Sequence, residues 1–182
     1  MRKIKILILG YSNFFQRRVE GGLKKFNNLN YLICSKSNLI NRKKNIYFNS
    51  YDQALNNKYD MVYITLRNEL HFKYAKKALL KGHNVVVDKP ISLEYKQTRE
   101  LLKLAIKKKL LLAEATLFNY HSIYDKIKKW TKNFTQIKVI SANFLIPQKK
   151  YLSCLNDMSS YAVSIIRIFF NNEVTNFKIY KT

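Results

Sequence analysis

Glycine and proline are scarce in this chain, four and two among 182 residues. That excludes collagen-like and low-complexity classes, and it leaves few residues for the special backbone positions that phosphate-binding turns need. Cysteine occurs twice, at Cys34 and Cys154, with neither CxxC nor metal-ligand spacing. Both read as buried small apolar residues, which implies no disulfide framework and no metal site. Long hydrophobic runs are missing too. The basic start Met1 to Lys5 leads into Ile6 to Leu9, but the run stops at Gly10-Tyr11-Ser12-Asn13, short of a signal-peptide core. Leu110 to Ala113 is broken by Glu114, far from the roughly 18 apolar residues of a membrane span. The expectation is a cytoplasmic protein with no membrane segment.

Negative charge is equally thin, with 11 Asp plus Glu against 34 Lys plus Arg and a net charge of +23. Such an excess invites a nucleic-acid reading, because Lys releases counterions when it neutralises phosphates. Yet 27 of the basic residues are Lys and only seven are Arg, the side chain whose planar fork recognises bases and phosphates with defined geometry. The Lys are spread along the whole chain, and no basic stripe with interleaved stacking aromatics is evident. The charge therefore reads as a solvated basic surface, with no specific nucleic-acid partner.

What is present is material for a core: 47% hydrophobic and 14% aromatic residues, enough for one domain and a piece of a second. Ile4 to Leu9 is a continuous apolar strand of the kind covered on both faces. A helix is predicted over Asn13 to Phe26, where Phe15, Val19, Leu23 and Phe26 recur at the helical interval. Strands follow at Tyr31 to Cys34, Ile46 to Phe48 and Asp60 to Thr65. A helix from Glu69 to Lys81 then buries Leu70, Tyr74 and Ala78 and stops at Lys81-Gly82. Val85 to Val87 is a fifth strand, and Ser92 caps a helix whose face carries Leu101, Leu102, Ala105 and Ile106. Leu110 to Ala113 is a sixth. Strands alternating with helices at this spacing require parallel crossovers, so the fold class is α/β, a Rossmann-type doubly wound parallel sheet. Its ligand crevice lies beyond the strand C-termini, faced by the loops after Leu9, Cys34, Thr65 and Val87.

The rhythm changes after about residue 118. Tyr120 to Trp130 and Asp157 to Phe170 read as helices, Thr135 to Leu145 and Val174 to Tyr180 as strands. The chain thus divides into an α/β domain over residues 1–118 and a partial α+β domain over 119–182. Two strands make a poor sheet with bare edges, so either a homodimer through this second-domain sheet or an aggregation-prone monomer is expected.

The run DMVYITLRNELHFKYAKKALLKGHNVVVDKPISL, from Asp60 to Leu93, resembles the centre of the Gfo/Idh/MocA oxidoreductase family. There a hydrophobic strand, a T/S-x-P-N-x-x-H turn, an A-x-x-A-L helix and an E-K-P motif follow in this order. The matching positions are Thr65, Asn68, His71, Ala75, Ala78, Leu79, Gly82, Val85 to Val87, Asp88, Lys89 and Pro90. AEATLFNYHSIYDKIK from Ala113 is similar to the family's passage into its substrate domain, and DMSSY at 157 to 161 falls where members carry D-x-G-x-Y or D-x-G-x-H. The resemblance implies an NAD(P)-dependent oxidoreductase acting on a hydroxyl or keto group of a sugar or nucleotide sugar. It implies Lys89 as the group that polarises and orients, with Tyr161 or Asp157 in the proton path. Asp157 and Tyr161, four apart, fall on one helix face. Cofactor contacts are expected from Gly10, Ser12, Asn13, Ser35, Lys36, Thr65, Leu66, Asn68, His71 and Asp88.

The pattern also breaks. In the G-x-G-x-x-G turn, Gly10, Ser12 and Phe15 hold the three glycine places. Phe15 is expected either to push its helix outward or to occupy space near the cofactor. Ser35-Lys36 stands where an acidic residue would grip a ribose 2′-hydroxyl, which favours NADP over NAD. Arg67 replaces the proline of the middle turn, a change expected to loosen that loop. A Gly-rich segment before Asp157 is replaced by Tyr151 to Leu155, and the chain ends before most of the expected substrate-domain sheet, a shortening expected to impair catalysis. The alternative is a non-catalytic partner, or a degenerate paralogue, that keeps the nucleotide-binding fold.

Overall fold

The computed structural model of the chain describes residues 2–35, 46–48, 50–116, 120–133, 160–161 and 163–165. The chain divides into two compact units, Met1–Ala115 and Thr116–Thr182. In the first, six strands form one parallel sheet: β1 (Ile4–Leu9), β2 (Leu29–Cys34), β3 (Ile46–Phe48), β4 (Met61–Ile64), β5 (Asn84–Asp88) and β6 (Leu112–Ala115), in the order β3-β2-β1-β4-β5-β6. The order runs one way from β1 to β3 and the other way from β4 to β6, so a switch point lies between β1 and β4, where doubly wound folds bind ligands. This is the Rossmann-type α/β fold expected from the alternation of strands and helices.

Successive residues of a strand face opposite sides, and the sheet is apolar on both. Leu7, Leu9, Cys34, Val62, Ile64, Val85 and Val87 pack under three helices: α2 (Tyr51–Ala54), α3 (Asn68–Leu80) and α4 (Tyr95–Lys108). Ile6, Ile8, Ile33 and Tyr63 point the other way and pack around Phe15. That residue opens a π-helical turn, Phe15–Val19, which continues as α1 (Glu20–Leu23). Each fully buried aliphatic side chain stabilises by about 1.5–3 kcal/mol, so the central strands are the most firmly held part of this unit.

The helix faces differ in detail from the periodicity. On α3 the buried residues are His71, Tyr74, Ala75, Ala78 and Leu79, with Leu70 only half-buried. On α4, Leu101 and Ala105 are buried and Leu104 joins them, whereas Leu102 and Ile106 are exposed. At 3.6 residues per turn, positions 102 and 106 sit about 100° further round than 101 and 105, beyond the contact with the sheet. Phe26 is also exposed, because α1 ends at Leu23 before the predicted boundary. Ser92 is not the cap of α4. The cap position is Glu94, and the Ser92 hydroxyl donates to the Glu94 carbonyl at 3.0 Å and pairs with Thr98 Oγ1 at 2.6 Å. The stop after α3 is as predicted: Gly82 adopts φ +85°, and the His83 amide reaches back to the Ala78 carbonyl at 3.1 Å.

In the second unit α5 (Ser122–Thr131) is a helix, and residues 160, 161 and 163–165 are helical. The predicted strands at Thr135 to Leu145 and Val174 to Tyr180 lie outside the described residues. Among the described residues, no helix is long and apolar enough to cross a membrane.

Candidate functional site

The register of the parallel strands sets Cys34, Leu9, Ile64, Val87 and Glu114 in one row across the sheet. The chain therefore leaves β2, β1, β4, β5 and β6 at one level, and the loops after β1, β4 and β5 stand side by side along one edge. Gly10 is the first residue beyond β1. Its amide donates to the Cys34 carbonyl at 2.8 Å, and its φ of +98° suits glycine. A Cβ at this position would lie 2.7 Å from the Thr65 carbonyl oxygen and 2.9 Å from a Leu66 methyl. The turn after β1 and the loop after β4 thus approach so closely that only glycine fits between them.

Ser12 and Phe15, in the other two glycine places, are both turned inward. The Ser12 hydroxyl pairs with Thr65 Oγ1 at 2.6 Å and accepts the Phe15 amide at 3.1 Å, so it caps the helix and ties it to the loop after β4. Phe15 is fully buried against the sheet, its ring 6.0 Å from those of Tyr11 and Tyr63. Of the two expected outcomes for Phe15, the helix accommodates the ring: the π turn begins at this residue, and the ring lies behind the turn rather than in the crevice. Arg17 and Arg18 are exposed, as is Asn13.

On the other side of the switch point, Thr65 is buried and Leu66 and Asn68 are half-buried. Arg67 keeps φ at −69°, the angle proline would impose, so replacing the proline preserves the backbone of this turn. His71, one turn into α3, has no exposed surface. Its Nδ1 lies 2.7 Å from the Pro90 carbonyl and its Nε2 2.9 Å from the Leu66 carbonyl. One imidazole ring therefore bridges the loops after β4 and β5, acting on the crevice through their backbones.

Asp88 ends β5, and Lys89 and Pro90 follow it in a bend, all half-buried, with the Lys89–Pro90 peptide cis. The Tyr63 hydroxyl donates to Asp88 Oδ1. Burial, and then the Asp88 charge, hold the Tyr63 phenol well above its ordinary range, so it stays protonated as the donor. Next along, Glu114 accepts the Ile91 amide at 2.8 Å. Lys89 is thereby mounted on a loop fixed at Asp88, Pro90 and Ile91. Neither Tyr63 nor Glu114 was singled out by motif. The one sequence signal for Tyr63 is a polar-tipped aromatic within an otherwise aliphatic strand.

Ser35, just past β2, is buried. Lys36 and Asp157 lie outside the described residues, and Tyr161 is half-buried in a helical segment of the second unit. A cavity of about 520 Å³ opens beside Lys5, Asn30 and Tyr59, at the strand N-termini, the edge opposite the one where this fold converges its loops.

Residues 4–116 match the Gfo/Idh/MocA oxidoreductase family, NAD-binding Rossmann fold. The chain belongs to this family. It is 35% identical over 92 residues to dTDP-3,4-didehydro-2,6-dideoxy-alpha-D-glucose 3-reductase of Streptomyces violaceoruber, a stretch covering 50% of this chain and 27% of the relative. To trans-1,2-dihydrobenzene-1,2-diol dehydrogenase of Xenopus laevis it is 28% identical, over 63% of this chain and 38% of that one. Among solved structures, the 3-ketoreductase KijD10 of Actinomadura kijaniata, in complex with TDP-benzene and NADP, superposes with a TM-score of 0.83 at 23% identity, covering 93% of this chain and 57% of KijD10. That likeness concerns the fold, and the chain spans well under two thirds of each of these proteins.

The residues of the crevice fit the family's dinucleotide. Gly10 makes the tight turn at the switch point, and the Ser12 hydroxyl and Phe15 ring are turned inward, away from the crevice edge.

Proposed function

We propose that the crevice at the strand C-termini binds NADP(H), and that the chain serves oxidation or reduction of a hydroxyl or keto carbon on a sugar or nucleotide sugar. The observation that carries this reading is the family match over residues 4–116, on a sheet whose strand order reverses between β1 and β4, where doubly wound folds bind ligands. Gly10 supplies the tight turn there, packed against the Thr65 carbonyl. The relatives support the substrate class, since they include a reductase named for a dTDP-sugar and a 3-ketoreductase solved with TDP-benzene and NADP.

Gly10, Ser12 and Asn13 hold the pyrophosphate side, Ser35 and Lys36 the ribose, and Thr65, Leu66, Asn68 and Asp88 the nicotinamide side, with His71 fixing the last two loops. When bound, the cofactor supplies or takes the hydride. Lys89 places a cation by the reacting oxygen, where it stabilises the charge that develops there. Tyr161 or Asp157 takes or gives the proton at that oxygen. Ser35 followed by a cation suits a 2′-phosphate better than a free 2′-hydroxyl.

Calorimetric titration tests the cofactor assignment. NADPH binds more tightly than NADH, and Lys36→Glu reverses the preference; equal or absent binding of both rejects it. Where turnover of a nucleotide sugar is measured, Lys89→Ala lowers the rate at least about a hundredfold, and an unchanged rate removes Lys89 from its role.

A further inference from the structure

Glu20 is a buried carboxylate in a chain with few acids, and the mechanism above does not use it. It accepts a hydrogen bond from the Tyr11 hydroxyl at 3.0 Å on Oε2 and one from the Tyr31 hydroxyl at 3.3 Å on Oε1, and Lys24 Nζ lies 3.6 Å away. Tyr31 stands on β2. Tyr11 directly follows Gly10, inside the turn that faces the crevice. The same turn is gripped again by Gln16, whose side-chain amide donates to the Tyr11 carbonyl at 3.1 Å.

The π turn explains how an acid comes to lie there. In a regular α-helix, residues five apart are about 140° apart around the axis, so with Phe15 against the sheet residue 20 would swing toward solvent. Here the Glu20 amide bonds to the Phe15 carbonyl, the i to i−5 pattern, which brings the two residues to one face. Phe15 fills the gap that a glycine would have closed, and Glu20 follows it under the helix.

We infer that Glu20 is a positioning residue for the dinucleotide turn, holding residues 10–16 in their binding conformation through Tyr11. The clasp replaces the close helix–strand packing that a glycine at position 15 would have supplied. This inference rests on the cofactor-binding reading above.

The test uses the whole chain, with NADPH as probe. A hydrogen bond to a charged group is worth about tenfold in affinity, so Glu20→Ala and Tyr11→Phe each weaken NADPH binding about tenfold. Glu20→Gln retains an acceptor and stays within about threefold, and Tyr31→Phe, which leaves the turn-side bond intact, within about twofold. Amide hydrogen exchange reads the turn without any cofactor: in Tyr11→Phe, residues 11–16 exchange faster while β4 and β5 do not change. Equal effects of Tyr11→Phe and Tyr31→Phe on affinity would make the cluster a helix anchor and overturn the inference. So would unaltered exchange across residues 11–16. A wild-type chain that binds neither NADPH nor NADH overturns the cofactor reading instead, and the exchange comparison then decides the role of Glu20 by itself. Should Glu20→Ala fail to fold, Tyr11→Phe, which keeps the ring in place, carries the same decision.

Discussion

The two halves of the crevice are held in different ways. On the β4–β5 side the loops are tied through the backbone: His71 reaches the Leu66 and Pro90 carbonyls, and Glu114 receives the Ile91 amide. On the β1–β2 side, ties between side chains, Ser12 with Thr65 and Tyr11 and Tyr31 with Glu20, add to the backbone bonds at Gly10, Tyr11 and Phe15, around the buried ring of Phe15. The His71 ties belong to a recognisable motif, one residue type at one spacing, whereas the Glu114 tie carries none. Side-chain ties are interchangeable in kind, so the first half keeps the shape of a dinucleotide turn with two of its three glycines replaced.

The sharpest way to break this contrast is to restore the motif. Phe15→Gly reinstates the third glycine yet empties a fully buried ring site, so it should cost about 4 kcal/mol and reduce NADPH binding. Chemical denaturation followed by cofactor titration checks both. Gly10→Ala comes next. It combines an unfavourable φ with a backbone clash, and a loss of roughly 3 kcal/mol together with loss of NADPH binding is expected. Gly82→Ala, before β5 and away from the crevice, is the control, since φ there is +85° but open space surrounds the site. Strain alone applies, costing about 1 kcal/mol, with NADPH affinity unchanged.

How much of this was legible in the sequence follows from the same contrast. The parallel α/β sheet, and the gathering of the loops after Leu9, Thr65 and Val87 at one edge of it, could be read from spacing, because a parallel sheet leaves little freedom in where such loops go. The position of Phe15 could not. Whether a large ring in a glycine place turns toward ligand or core depends on the helix accommodating it, and a π turn has no periodicity of its own to read. Leu102 and Ile106 misled for a related reason: apolar residues at helical spacing mark a stripe, but only packing decides which flank of it is covered. The inward rotation of Glu20 depends on the π turn and was hidden with it.

A smaller effect sharpens the link between the halves, since Tyr63 touches Phe15 on one side and Asp88 on the other. Its folded-state pKa is raised above the unfolded value of about 10. The stability it contributes is therefore fully present below pH 10 and declines as pH rises beyond it, because the unfolded chain ionises first. Burial also raises Tyr59 and Tyr74, so the alkaline decline should become shallower in Tyr63→Phe without disappearing. Denaturation midpoints between neutral and strongly alkaline pH measure this, and identical slopes for the two proteins would contradict it.

The central claim is that both halves still form one dinucleotide crevice. Amide chemical-shift mapping during NADPH addition tests it most directly. The account predicts that the largest shifts fall at Gly10 to Asn13, at Thr65 to Asn68 and at Asp88 to Ile91, together and with one affinity. Shifts confined to the β4–β5 loops, or clustered around Lys5, Asn30 and Tyr59 at the opposite edge, would contradict it.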